Sequence, residues 1–213
     1  MYAKYMKRPL DFVLSLIAIL ILSPVFFVLT IFGLIAMQGD PFFVQLRPGK
    51  KGKDGKERIF KLIKFRTMDN RKDKEGNLFP DEIRLNKYGR KLRSTSLDEL
   101  PELFNILKGD MSLIGPRPLL VKYLDRYSEE QRKRHNVRPG LTGYAQAYGR
   151  NSLTWEEKFE KDVYYVDHIS LWLDIKIIFK TVSVVLKREG ISSEASATME
   201  EFIGNGSEVQ VNV

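Results

Sequence analysis

The sequence predicts an α+β fold that is mostly helical. A small globular domain follows an N-terminal membrane hairpin helix, and amphipathic helices lie at the interface. Three observations predict this. Residues 12–36 carry no charge. Residues 42–46 and 58–68 read as extended segments around a turn rich in glycine and lysine at 47–55. Residues 97–108, 154–168 and 170–188 space their apolar side chains as helices do. The chain has 213 residues, room for one domain and an anchor. We divide it into an anchor at 1–37, a folded domain at 38–190 and a polar tail at 191–213.

As one helix, residues 12–36 would be about 37 Å long, more than a hydrocarbon core of about 30 Å. The segment is too long for a cleaved leader, and no small-x-small pattern follows it, so it is expected to stay as an anchor. Ser23 and Pro24 sit at its centre. Pro24 has no N–H for the Leu20 carbonyl, which costs about 3 kcal/mol in a helix interior. Ser23 is expected to compensate by bonding to the Ile19 carbonyl. A kinked spanning helix and a re-entrant helix broken at Ser23 and Pro24 both accommodate this. Lys4, Lys7 and Arg8 precede the segment, and Lys50, Lys51, Lys53, Lys56, Arg58, Lys61, Lys64 and Arg66 follow it. A span strands one basic group on the wrong side of the membrane. The re-entrant form is therefore the expectation.

Downstream, residues 58–66 roughly alternate apolar and basic side chains, a strand with one charged face on which Lys61, Lys64 and Arg66 lie near one another. A solvated edge strand guarded by lysines reads the same way. Residues 69–80 are polar and looped, and 81–93 suggest one or two short helices. Residues 97–108 form a helix closed by Gly109. Residues 119–136 hold one or two more, ending before Arg138. Thr154 and Glu157 match a capping box that opens the helix 154–168. The last helix, 170–188, gathers Leu171, Ile175, Ile178, Phe179, Val182, Val185 and Leu186 on one face. With Trp172, Lys176, Lys180, Lys187 and Arg188 it suits a membrane interface, and an ordinary core helix equally.

Composition narrows the chemistry. Lys and Arg number 35 against 27 acids, a net charge of +8, which suits nucleic acid, acidic headgroups or phosphorylated small molecules. The chain has no Cys, so disulfides, thiolate metal sites and Cys nucleophiles are excluded. Two histidines, His135 and His168, are too few for a His-rich metal site; any metal would be a hard cation held by carboxylates and phosphate.

Chemistry-bearing residues are densest in 93–118. Ser96 and Glu99 fit a capping box, in which case Asp98 and Glu99 only complement a helix start. Adjacent acids on a helix point about 100° apart, so they do not face one pocket as an acid–base pair. Arg117 stands between Pro116 and Pro118, where a fixed backbone presents a guanidinium suited to bidentate phosphate binding. Arg93, Arg117 and Arg150 lie on separate loops that converge on a diphosphate if they are not simply turn residues paired with surface acids.

These blocks, in order, carry a resemblance. Lys7, Arg8 and Asp11, the Ser23–Pro24 pair, Arg47 to Gly49, 61–68, 96–100, 105–118, 137–143, Asn151 and Asp162 together resemble the monotopic phosphoglycosyl transferases. The chain is similar to their small single-domain members, and most of all to those that start bacterial N-linked glycan assembly with UDP-N,N'-diacetylbacillosamine. The resemblance implies a cytoplasmic catalytic domain on the inner membrane of a bacterium, held by a re-entrant helix. It implies transfer of a sugar-1-phosphate from a UDP-sugar to polyprenyl (undecaprenyl) phosphate, with release of UMP, as the first membrane step of glycan biosynthesis. Asp98 would be the nucleophile and a ligand of Mg²⁺. Glu99 would position or deprotonate the incoming group. Arg93, Arg117, Arg150, Lys61 and Lys64 would bind substrate. Membrane lipids are implied partners and nucleic acid is not; the resemblance leaves room for a homodimer and for downstream glycosyltransferases. A plain hexose donor is the alternative within the class. Outside it, the alternative is a basic, membrane-tethered binding domain without catalysis.

Overall fold

The structure is a computed structural model that describes residues 1–149, 152–187 and 201–204. Arg150, Asn151, Arg188 and most of the expected polar tail lie outside the described residues. A π-helical turn, Tyr2–Met6, leads into α1, Lys7–Ala36, a helix of 30 residues. The stretch Tyr2–Ala36 is long and apolar enough to cross a membrane, with a mean hydropathy of 2.9 in its most apolar window.

One stripe of α1 meets the domain along its whole length. Arg8 donates to the carbonyls of Ile106 and Leu107. Asp11 accepts from Ser112 and Leu113, and Ser15 is fully buried. Ala18, Ile19, Leu22 and Phe26 pack on a core of Phe60, Leu62, Leu103, Ile106 and Met111. Tyr88 donates to the Leu29 carbonyl, Gly33 abuts Pro41, and Asn86 donates to the Ala36 carbonyl. These positions recur every three or four residues, the signature of one helical face. The opposite face exposes Leu20, Ile21, Phe27, Phe32 and Ile35.

The expected break at Ser23 and Pro24 is absent: α1 stays helical through Pro24. The Ser23 hydroxyl donates at 2.8 Å to the carbonyl of Leu20, not of Ile19. That is the carbonyl Pro24 leaves without an amide partner, so the serine offsets part of the proline's cost.

Strands β1 (Phe42–Lys51) and β2 (Glu57–Phe65) form an antiparallel hairpin, with Phe42 opposite Phe65 and Arg47 opposite Phe60. The expected loop at 47–55 is shorter, because β1 continues through Pro48 and Gly49 with an irregularity before Lys51. Strand alternation puts Gln45, Arg47, Phe60, Leu62 and Lys64 on one face and Val44, Leu46, Ile59 and Lys61 on the other. Lys61 thus points away from Lys64, correcting the single charged face expected for 58–66.

Next come α2 (Asp81–Arg84), α3 (Lys87–Thr95), a 3₁₀ turn (Leu97–Glu99) and α4 (Glu102–Lys108). Gly109, at φ 98°, closes α4 as expected. Strand β3 (Ser112–Ile114) pairs in parallel with β4 (Gly140–Thr142), which brings the 105–118 and 137–143 segments together. A side chain on Gly115 would meet the Arg138 carbonyl at 2.4 Å, so only glycine fits this crossing. Between these strands run 3₁₀ turns (Val121–Arg126 and Lys133–Asn136) on either side of α5 (Glu129–Arg132). Then follow α6 (Tyr144–Ala147), α7 (Trp155–Asp167) and α8 (Leu171–Lys187).

The Thr154–Glu157 capping box forms in full at the start of α7. Helix α8 buries Asp174, Ile177 and Val184 and exposes Leu171, Trp172, Ile178, Phe179 and Val182. The face that reads as apolar in sequence is therefore turned outward rather than into the core. Asp174 accepts from Tyr2, Lys7 and Tyr165, tying α8 to the start of the apolar N-terminal helix.

Asp11, 4% exposed, accepts from Ser112 Oγ at 2.7 Å and from Leu113 N at 3.0 Å. Asp11→Ala leaves both donors buried without a partner and is expected to lower stability by about 3 kcal/mol. Chemical unfolding in detergent checks this; a loss below about 0.5 kcal/mol would show that water replaces the carboxylate.

Candidate active site

A cleft of about 770 Å³ opens between the hairpin, the 3₁₀ turn Leu97–Glu99 and the turn after β3, and Lys64, Arg93, Asp98, Glu99 and Arg117 all line it. The capping box expected at Ser96 does not form. Ser96 closes α3 instead, with its N–H directed to Leu92 and Arg93 and its backbone in the left-handed region at φ 56°. A non-glycine residue held there stores strain, and here it swings Asp98 and Glu99 into the cleft.

The two acids have different surroundings. Among the described residues the Asp98 carboxylate takes part in no ion pair or hydrogen bond. Burial raises its pKa, the neighbouring Glu99 adds to this, and Lys64, Arg117 and Arg93 oppose it. Glu99 is locked. Its Oε1 lies 2.7 Å from Lys64 Nζ and 2.6 Å from Arg117 Nη2. Burial alone would raise its pKa, but Arg117 and Lys64 hold it well below the usual carboxylate range. Such a group is a poor proton acceptor and a good anchor for cations.

A third carboxylate stands behind them. Lys64 Nζ is 3.0 Å from Glu102 Oε1, and Glu102 is 3% exposed. Burial, reinforced by Glu99 and opposed by Lys64, pushes its pKa up to about 7. Lys64 thus bridges an ionised acid in the cleft and a buried one poised between charge states.

Arg117 is set by its backbone. Arg134 Nη2 donates to the Arg117 carbonyl at 2.7 Å, and Arg47 Nη1 donates to the Pro118 carbonyl at 3.3 Å. Arg134 is buried and paired with buried Asp162 at 2.7 Å. The Arg117 side chain remains half exposed, and the charge of Glu99 raises its pKa against the effect of burial. Arg93 donates to Thr67 at 3.0 Å and has no ion pair among the described residues. Lys61 is not in the cleft, because strand alternation sends it to the far face of the hairpin. Arg150 lies outside the described residues.

Among the described residues no three carboxylate or histidine side chains gather as a metal cage. The donor set fits Mg²⁺ in another way: one free carboxylate, Asp98, beside cations suited to phosphate, since Mg²⁺ is commonly held by one or two carboxylates and substrate phosphates. Sequence reasoning missed Glu102 and Arg134 and gave Arg47 no role. Glu102 had a signal, since it follows Asp98 by four residues, about one helical turn. Arg134 had none, because its role is to hold a carbonyl that is distant in sequence.

Comparison with known proteins gives a consistent result. The sequence model of the family described as bacterial sugar transferase matches residues 2–188. The chain is 55% identical over 169 residues to an uncharacterized sugar transferase, EpsL, of Bacillus subtilis, covering 79% of this chain and 81% of that protein. It is 37% identical to a UDP-N-acetylgalactosamine-undecaprenyl-phosphate N-acetylgalactosaminephosphotransferase of Aeromonas hydrophila, covering 85% of this chain and 44% of that protein. It is 36% identical to an undecaprenyl-phosphate galactose phosphotransferase of Salmonella typhimurium, covering 88% of this chain and 42% of that protein. The chain thus spans most of the first relative and less than half the length of the other two.

Glu102 yields a test. Its folded pKa of about 7 lies above the ordinary glutamate value of 4.5, so near neutral pH the folded state keeps a proton that the unfolded state has lost. The stability it contributes is full below about pH 4.5 and falls as pH rises through 7, by at most about 3 kcal/mol. Glu102→Gln removes this titration. Its melting temperature relative to wild type is expected to rise between about pH 5 and pH 8. A difference that stays constant with pH in thermal scans would contradict the assignment.

Proposed function

Since the chain belongs to the bacterial sugar transferase family, we propose that it transfers a sugar-1-phosphate from a UDP-sugar to polyprenyl phosphate and releases UMP. The observation that carries this reading is the contrast between Asp98 and Glu99: an unpartnered carboxylate beside one locked between Lys64 and Arg117.

In the first step an Asp98 carboxylate oxygen attacks the sugar-bearing phosphorus. The bond from that phosphorus to the UMP oxygen breaks, UMP leaves with the electron pair, and an acyl phosphate that carries the sugar remains on Asp98. In the second step an oxygen of polyprenyl phosphate attacks the same phosphorus. The Asp98 carboxylate departs and polyprenyl-diphospho-sugar is formed. Splitting the transfer lets a soluble donor and a lipid acceptor use one cleft in turn. A carboxylate approaching a diphosphate meets repulsion, so the cleft needs cations. Arg93 and the exposed edge of Arg117 supply charge to the phosphate oxygens. Lys64 balances Glu99 and Glu102 from below. Glu99 orients Arg117 and Lys64 rather than taking a proton. Asp98 would be the protein's ligand for Mg²⁺, and the ion would supply charge neutralisation to the leaving phosphate.

The acceptor is a lipid, so the cleft must sit at the depth of lipid headgroups. We read the apolar outer faces of α1 and α8 as the surfaces that rest in the inner membrane, from its cytoplasmic side. What supports this is that both ends of α1, Arg8 and Ala36, touch the same charged domain. A helix joined at both ends to one domain has no free arm to cross the bilayer. For the donor, an N-acetylated amino sugar such as N,N'-diacetylbacillosamine is the first candidate; the named relatives take N-acetylgalactosamine and galactose.

Asp98→Asn is expected to abolish UMP release and the adduct seen when wild type is incubated with a sugar-labelled donor. Turnover by the variant, checked for deamidation by mass spectrometry, rules Asp98 out. A panel of UDP-sugars assayed for UMP release with polyprenyl phosphate present assigns the donor. The chain has no cysteine, so Tyr5→Cys and Lys72→Cys report topology cleanly. Both are expected to resist an impermeant thiol reagent in sealed cells; labelling of either one alone restores a spanning helix.

A further inference from the structure

A second hollow, of about 500 Å³, opens at the tip of the β1–β2 hairpin and shares no lining residue with the cleft. Lys50, Lys51, Lys53, Arg58 and Arg138 line it. Among the described residues none of the five forms an ion pair. Asp110, the acid of the lining, stands 3.2 Å from Lys108, and Glu57 at the base of the tip faces Arg132 at 3.6 Å. Asp54 Oδ1 and Arg58 Nε both lie beside Gly52 at the tip, so acids are present but outnumbered, and the surplus of positive charge is relieved when an anion joins it.

The hollow is also anchored. Arg138 Nε donates to the Gly109 carbonyl at 2.8 Å, which fixes the guanidinium and leaves its outer nitrogens for a ligand. Arg8 packs over the same glycine, and its two terminal nitrogens are spent on the carbonyls of Ile106 and Leu107 at 2.7 and 2.8 Å. Arg8 belongs to the first turn of α1, and from Phe12 onward the outer face of that helix is apolar. The hollow therefore lies where the apolar helix meets its polar end.

We propose that this hollow is a second phosphate site, apart from the chemistry, and that it holds the phosphate of an anionic membrane lipid. Arg58 and Arg138 supply planar guanidinium groups that match phosphate oxygens. Lys50, Lys51 and Lys53 add the field that draws an acidic headgroup. The choice of a lipid rests on the membrane reading of α1 given above; the phosphate chemistry stands on the five unpaired cations. A lipid held here would fix the depth and tilt of the domain, so that the cleft meets the acceptor's headgroup.

The test compares wild type with the triple variant Lys50→Gln, Lys53→Gln, Arg58→Gln, all three at exposed positions. Both are placed in nanodiscs of phosphatidylcholine, with or without phosphatidylglycerol, and retained lipid is read by native mass spectrometry. A second triple, Lys72→Gln, Lys74→Gln, Lys91→Gln, removes the same charge elsewhere. Wild type and the second triple are expected to keep one phosphatidylglycerol, and the first triple to lose it by on the order of 100-fold. UMP release in phosphatidylcholine discs is expected to be the same for wild type and the first triple. Equal retention in all three proteins, equal loss in both triples, or equal retention of phosphatidylcholine by wild type overturns the site. Displacement of the lipid by inorganic phosphate, but not by chloride of equal ionic strength, overturns the lipid as occupant in favour of a free anion. Absence of UMP release from every protein counts against the transferase reading alone, because lipid retention is measured independently of it.

Discussion

A single carboxylate oxygen organises the cleft. Glu99 Oε1 accepts from Lys64 on the hairpin and from Arg117 on the turn after β3. It thereby joins three segments that are far apart in sequence. The arrangement holds because each cation is braced from behind. Lys64 has a second acid, Glu102, at 3.0 Å. Arg117 has its carbonyl gripped by Arg134, which Asp162 neutralises in the interior. A buried ion pair adds little net stability, and removing one partner is expensive. What this pair contributes is position: through the backbone it aims the Arg117 guanidinium at the cleft, where one nitrogen meets Glu99 and the group stays half exposed.

Locking Glu99 has a consequence for Asp98. Lys64 and Arg117 are already engaged by Glu99, and Arg93 reaches Thr67, so the Asp98 carboxylate stays unpaired among the described residues. A carboxylate left without a salt bridge of its own stays open to a ligand entering the cleft. The strained backbone at Ser96 serves the same end. It stops α3 before Asp98 can be absorbed into a regular helix and presents the acid on a tight turn.

Away from the cleft, the fold exposes apolar surface in two places, on α1 and on α8, and links them. Asp174 of α8 accepts from Tyr2 and Lys7 at the start of the N-terminal segment and from Tyr165 of α7. The two outward faces are thus held in fixed relation by a buried polar knot. Such a pair of surfaces suits a domain that rests on lipid.

The sequence by itself determined the apolar segment, the hairpin, the helix caps at Gly109 and Thr154, and the presence of Asp98, Glu99 and Arg117 in one dense stretch. These signals are local: charge-free length, alternation, capping residues and prolines act within a few positions of themselves. The tertiary structure decided the rest. Ser96 looked like the start of a helix but ends the previous one, because α3 packs far enough to claim its N–H. Lys61 looked like a neighbour of Lys64 but faces the other way, since a strand alternates whatever its charges prefer. Pro24 looked like a break, yet helix contacts on both sides and one serine hydroxyl carry α1 through it. The apolar stripe of α8 suited a membrane interface and a core equally, and the fold turns it outward while Asp174, Ile177 and Val184 are buried. Arg134 carries no local mark of its role, and Glu102 only its spacing of one turn from Asp98, because burial and a partner dozens of residues away, properties of the folded chain alone, give a side chain its charge state and its aim.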